Sequence, residues 1–149
     1  MKINNKLIQK DIITIKLESD YTIKTTSAYE NVTGFQIYEK VGDRLDFSNN
    51  NVIIGSGIKK VKVSYNAKII NTKSTTREYT YLTKNSNNTT QEGAFFSATN
   101  QQITNTISPI VFSVNEGDTF GLAIYGGAGN QLSSYLLSTA LTVEVVEYE

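Results

Sequence analysis

A chain of 149 residues fits one domain and can bury about two-thirds of its unfolded surface in a single core without a covalent staple. Its 14 basic and 14 acidic residues cancel, so no net field attracts a phosphate backbone and nucleic acid is not an expected partner. Cysteine and histidine are both absent, which excludes disulfides, thiolate metal sites and any nucleophile that relies on a histidine base; neither a cofactor nor a metal is expected.

In chain order, the start "MKINNKLIQKDIITIKLE" spreads its charges and has no apolar h-region, so no secretory signal is expected. No segment approaches the roughly 18 apolar residues of a membrane span, so membrane insertion is not expected either. Residues 1–30 are set apart as an attachment or edge-strand segment within one β-sandwich domain spanning 1–149. Period-two alternation, the mark of half-buried strands, then dominates. It runs through Ile13, Ile15 and Leu17; Phe35 and Ile37; Leu45 and Phe47; and, most clearly, Val61, Val63, Tyr65, Ala67 and Ile69, whose alternate positions carry Lys60, Lys62, Ser64, Asn66 and Lys68. It resumes at Tyr79 and Tyr81, at Ile110, Phe112 and Val114, at Phe120, Leu122 and Ile124, and at Leu141, Val143 and Val145. Between these runs "SNNN", "GSG", "KNSNNTT", "NEGD" and "GGAGN" read as turns.

One segment, Gln131 to Leu141, has helical spacing at Leu132, Tyr135 and Leu136 after Asn130 as an N-cap. With the preceding "FGLAIY" and "GGAGN" it imitates a dinucleotide-binding turn, but Leu132 stands where the third glycine is required, and the rest of the chain reads as strands only. The segment is therefore expected to connect two strands, with at most a turn of helix. The carboxylate pairs Asp43 with Asp46 and Glu116 with Asp118 fall in turn-like sequence, where hydrogen bonding to the backbone is the ordinary role. No enzymatic activity is expected. Among nine tyrosines, Tyr65, Tyr79 and Tyr81 fall on the apolar phase and are expected in the core, while Tyr125 and Tyr135 flank the glycine loop and are expected at the surface.

Strand phase also bears on assembly. Behind Phe120, Leu122 and Ile124 lie Gly121, Ala123 and Tyr125, and behind Leu141, Val143 and Val145 lie Thr142, Glu144, Val146 and Tyr148. Such second faces suit contact with another subunit better than water. An oligomer interface lined by Ala123, Tyr125, Val146 and Tyr148 is expected.

The run "DFSNNNVIIGSGIKKVKVSYNAKII", a strand ending "YLTKN", then "ISPIVFSVNEGDTFGLAIYGG" and a closing "STALTVEVVEY" resemble the jelly roll of complement globular heads and tumour necrosis factor, in the version found in phage virion proteins. The resemblance covers roughly residues 40 to 149 and implies an all-β fold, an antiparallel jelly-roll sandwich of two sheets. It further implies a homotrimer and a non-enzymatic virion component, made in the bacterial host cytoplasm and in contact with other virion proteins. In the first of two readings, loops bind a host-surface ligand, most plausibly a glycan, through Asn87 and Asn88 of one loop and Tyr125, Asn130, Gln131, Ser134 and Tyr135 of the other. In the second, the protein is a capsid or tail decoration with no ligand, and those loops are merely solvated.

Overall fold

The computed structural model describes residues 2–3, 6–7, 10–25, 27–72, 77–92, 96–97, 103–127 and 134–149. The strands run, in chain order, β1 (Lys2–Ile3), β2 (Lys6–Leu7), β3 (Ile12–Leu17), β4 (Tyr21–Thr22), β5 (Ala28–Asn31), β6 (Phe35–Val41), β7 (Leu45–Ser48) and β8 (Asn51–Ile54). They continue with β9 (Ile58–Asn71), β10 (Arg77–Lys84), β11 (Asn87–Glu92), β12 (Phe96–Ser97), β13 (Ile103–Thr106), β14 (Ile110–Ser113), β15 (Thr119–Gly126) and β16 (Ser134–Tyr148).

Apart from the β1–β2 hairpin, every strand belongs to one of two antiparallel sheets. One has the order β13-β9-β16-β3-β6, with β14 also on β9 and β4 on β16. The other has the order β11-β10-β15-β8-β7, with β12 on β10 and β5 on β15. The architecture is therefore the expected all-β sandwich, and alternation accounts for its core. Val61, Val63, Tyr65, Ala67 and Ile69 of β9 meet Leu141, Val143 and Val145 of β16 and Ile13 and Ile15 of β3 from one sheet, and Phe120, Leu122, Ile124 and Leu82 from the other. Each fully buried aliphatic chain contributes about 1.5–3 kcal/mol.

Polar ties join what the apolar core cannot orient. Tyr65 is 2% exposed, and its hydroxyl lies 2.8 Å from the Thr80 hydroxyl and donates to the Thr80 carbonyl at 3.1 Å, linking the sheets. At one end of the sandwich Asn71 donates to the Ser134 hydroxyl at 2.7 Å, which donates to Glu78 at 2.5 Å. Burial outweighs these bonds and pushes the Glu78 carboxyl above its ordinary value. Toward the other end Asp11 joins the first long strand to the last: it accepts from the Arg44 amide at 2.9 Å and from the Tyr148 hydroxyl at 2.7 Å. Gly42, at φ +80°, passes so close that a Cβ there would stand 2.0 Å from Asp11 Oδ1, so this turn requires glycine.

The order of residues also differs from expectation in places. Residues 134–141, inside the helix-spaced segment, form the first half of β16. A bulge between Leu137 and Ala140, with Ser138 at φ 44°, offsets the buried positions to Ser134, Leu136, Thr139 and Leu141. One inserted residue makes an alternating strand imitate a helical period. Part of "KNSNNTT" is strand as well: only Asn85 and Ser86, both at positive φ, make the turn, and Asn87 begins β11. Ile37 is 44% exposed rather than buried, because β6 lies at the edge of its sheet.

Candidate functional site: a groove of tyrosines and asparagines

Register carries residues of three strands to one outer face. Tyr125 of β15 lies opposite Tyr29 of β5 and Tyr79 of β10, while Ala123 lies opposite Asn31 and Tyr81. Directly opposed residues share a face. Because Leu122 and Ile124 point inward, their partners Leu82 and Thr80 do too, and the tyrosines between them point out. Tyr79 and Tyr81 are thus half-buried on the outer surface, not in the core as their alternation suggested; the inward phase belongs to Glu78, Thr80 and Leu82. Tyr65 alone of the three is interior.

The four rings form a closed cluster. Tyr29 meets Tyr125 at 5.0 Å and Tyr81 at 5.2 Å, Tyr79 meets Tyr125 at 5.7 Å, all edge-on, and Tyr79 meets Tyr81 at 6.5 Å. Edge-to-face contacts of this kind stabilise aromatic groups by about 0.5–1.5 kcal/mol each beyond burial. Tyr29 remains 50% exposed at the rim.

Next to the rings the face sinks. Ala123, 2% exposed, forms the floor of a hollow of about 350 Å³ walled by Tyr29, Glu30, Asn31, Ser86 and Asn87. Asn31 and Ser86 also wall a second hollow of about 190 Å³, which continues to Thr33, Thr83 and the run Asn49, Asn50 and Asn51. The second hollow lies where β15 changes partner: β5 pairs with residues 123–126, the Val32 amide reaches the Leu122 carbonyl at 2.9 Å, and β8 pairs with 119–120, which leaves Gly121 between them. A Cβ on Gly121 would stand 2.3 Å from the Asn51 carboxamide oxygen, so glycine lets the amide lie against the sheet.

Two hairpin turns supply the polar wall. Asn49 and Asn50 link β7 to β8, and Asn85 and Ser86 link β10 to β11, each pair at positive φ. Two-residue hairpins of this twist demand that conformation, which asparagine tolerates. Asn50 accepts from the Gly34 and Phe35 amides at 2.8 and 3.2 Å, anchoring its turn. Asn85 accepts from the Thr119 amide at 2.9 Å and donates to Asp118 at 3.0 Å, and Lys84 approaches Asp118 at 3.5 Å. The "KN" and "GD" motifs thus meet in space. Burial would raise the Asp118 carboxyl, but the Asn115 amide, the Asn85 amide and Lys84 together hold it below its ordinary value.

Glu30 is the one charged group among the described lining residues. Its carboxylate accepts from the Tyr21 hydroxyl at 2.5 Å and from the Lys24 and Thr25 amides at 2.7 and 2.9 Å. Burial raises it, yet these donors keep it below the usual carboxylate range, and in turn burial and Glu30 raise the Tyr21 phenol. Oε1 accepts from the two backbone amides and Oε2 from the Tyr21 hydroxyl, which suits a structural role. The Asp43–Asp46 and Glu116–Asp118 pairs lie elsewhere; Asp118 accepts from the Asn115 amide in its turn, as expected, whereas Asp46 falls within β7, where it accepts from the Phe47 amide. Among the described residues no group of three or more carboxylates is placed to hold a metal.

The sequence-predicted ligand residues are divided by the fold. Tyr125 belongs to the ring cluster and Asn87 to the hollow. Asn88 pairs its backbone with Thr83, its side chain lying outside what is described, and Asn130 and Gln131 lie outside the described residues. Ser134 is wholly buried against Glu78, and Tyr135 lies in the opposite sheet beside Ile70 and Thr22, so neither reaches the groove. The expected oligomer surface is likewise divided. Ala123 and Tyr125 sit in one sheet, Val146 and Tyr148 in the other, and the Tyr148 hydroxyl is engaged by Asp11. These four residues do not form one face.

With this geometry, comparison with solved structures is informative. Murine APRIL crystallised at pH 5.0 superposes with a TM-score of 0.68 at 12% identity, over 93% of this chain and all of that one. The globular domain of zebrafish complement 1qA gives 0.66 at 11% identity, over 94% and 100%. The fold is the jelly roll shared by tumour necrosis factor and C1q. No family model matches the chain, and no curated protein does. At such identities the likeness concerns the fold alone. From the sequence Tyr29 and Asn31 are not expected at a ligand site, and the Asn49–Asn51 run and Ser86 read as turn residues; the one signal for β5 is the Y-x-N alternation of "AYEN", a strand pattern without an apolar face.

Proposed function

We propose that this chain is a non-enzymatic, homotrimeric binding module of a phage virion that recognises a host-surface glycan. The observation that carries the binding part is the groove: aromatic rings beside a run of amides and hydroxyls, on a rigid sheet, with no nucleophile and base brought together among its described residues. Binding sites combine apolar surface with a few convergent polar groups in this way. The virion assignment rests on the sequence resemblance. The homotrimer likewise rests on the sequence resemblance; the exposed apolar side chains Ile37 and Tyr38 on β6 and Val111 on β14 lie at opposite edges of their sheet and do not make one patch.

A glycan array probed with the intact protein tests the reading, alongside binding to purified virions. Sugar binding that weakens when Tyr29 or Tyr125 is replaced by Ala supports it. Binding to virions with no sugar retained would overturn it in favour of a decoration protein.

A further inference from the structure

We propose that the groove takes an uncharged oligosaccharide, with one sugar ring seated over Ala123 between Tyr29 and Asn87 and the chain continuing past Asn31 toward Thr83 and Asn51. This rests on the glycan reading and narrows it to a class of sugar and a subsite order.

Charge excludes the alternatives first. The described lining residues include no Lys or Arg, so sialic acid, a uronic acid, sulfate or phosphate would lose hydration with no countercharge to replace it. Glu30, the one charged lining residue, supplies no countercharge for such groups, and its oxygens are already occupied by its own chain. A cation fares little better, since the same donors compensate that carboxylate.

The polar groups suit a neutral polyol. The Asn31, Asn49 and Ser86 side chains make no hydrogen bond among the described residues, and carboxamides and hydroxyls can both donate and accept, as sugar hydroxyls do. Thr83 gives a sharper indication. It is 3% exposed, lines the inner hollow, and its hydroxyl has no hydrogen-bond partner among the described residues. A buried hydroxyl is ordinarily bonded, and a ligand or water in that hollow is placed to bond it. At the other end the exposed Tyr29 ring offers an apolar plane with a polar tip, which a sugar ring's C–H face can cover. Successive outward residues on a strand stand about 7 Å apart, so the rows from Tyr29 through Asn31 to Gly121 accommodate more than one ring.

The test is an array in which neutral oligosaccharides are paired with their sialylated, sulfated and uronic-acid counterparts, followed by calorimetric titration of the best neutral member. Expected are binding to neutral members with loss on adding an acidic group, and affinity about tenfold lower in both Tyr29→Ala and Thr83→Val. Thr83→Val should keep the wild-type melting temperature, because the hydroxyl it removes has no described protein partner, so an affinity loss there reports the ligand and not the fold. Preferential binding to the acidic members would overturn the neutral class and leave the glycan reading standing. Neutral binding indifferent to both substitutions would overturn the subsite. Absence of any sugar binding would overturn the inference together with the reading beneath it.

Discussion

Replacing Tyr65 by Phe isolates the bond that ties the two sheets. The ring stays and fills the same volume, so no cavity opens; what is lost is the hydroxyl bonded to Thr80 at 2.8 Å, between residues 2% and 0% exposed. Thr80 is then left with a buried hydroxyl short of a partner, which costs about 1–3 kcal/mol. In a chain of this length each kcal/mol lowers the melting temperature by about 2–4 °C. Thr80→Val should cost less, because the Tyr65 hydroxyl keeps its bond to the Thr80 carbonyl at 3.1 Å. The double variant removes both polar groups together, so it should cost less than the sum of the singles, by about 0.5–3 kcal/mol. Urea unfolding at one fixed protein concentration is the appropriate assay, since self-association makes apparent stability depend on concentration. A Tyr65→Phe protein as stable as wild type, or singles that simply add, would refute the proposed tie.

Acid should destabilise the fold: Asp11, Glu30 and Asp118 are held below their ordinary values, so their contribution is present above the carboxylate range and is lost as pH falls through their folded values, and Asp118→Asn should flatten that limb of a stability–pH profile. Glu78 has the opposite sign: its folded value is raised, so its contribution is lost as pH rises from the carboxylate range toward neutrality. Glu78→Gln should flatten the fall in stability between the carboxylate range and neutrality, and a profile parallel to wild type there would contradict this. Light scattering should return three times the 16.5 kDa chain mass, and a monomer at micromolar concentration would end the trimer proposal. Tyr29→Ala should cost about 1–3 kcal/mol for its two edge-on contacts, less than Tyr65→Ala at about 3–5 kcal/mol; a loss at Tyr29 equal to or above that at Tyr65 in urea would show that the rim and core assignments are wrong.

How much of this was legible in the linear chain depends on what each residue's neighbours are. Alternation in β9 names its buried side chains directly, since five apolar residues face five polar ones and only one phase can enter a core. Turn chemistry was equally plain in "SNNN", where positive φ is a local demand. Fold class follows from such local facts summed along the chain. Strand β10 behaves differently: "EYTYLT" offers amphipathic tyrosines on one phase and a Glu, a Thr and a Leu on the other, and tyrosine is content at a surface or inside. Its phase was decided by register with β15, where Leu82 falls opposite Leu122, a pairing between residues distant in sequence. The same long-range pairing assembled the groove from β5, β10 and β15 and the two asparagine turns, put Val146 and Tyr148 in the sheet opposite Ala123 and Tyr125, and turned a helix-like spacing into a bulged strand. Local patterning determined which segments are strands and which face most of them bury; only tertiary pairing could decide which outward side chains stand together, because that depends on strand order and register, which no single strand encodes.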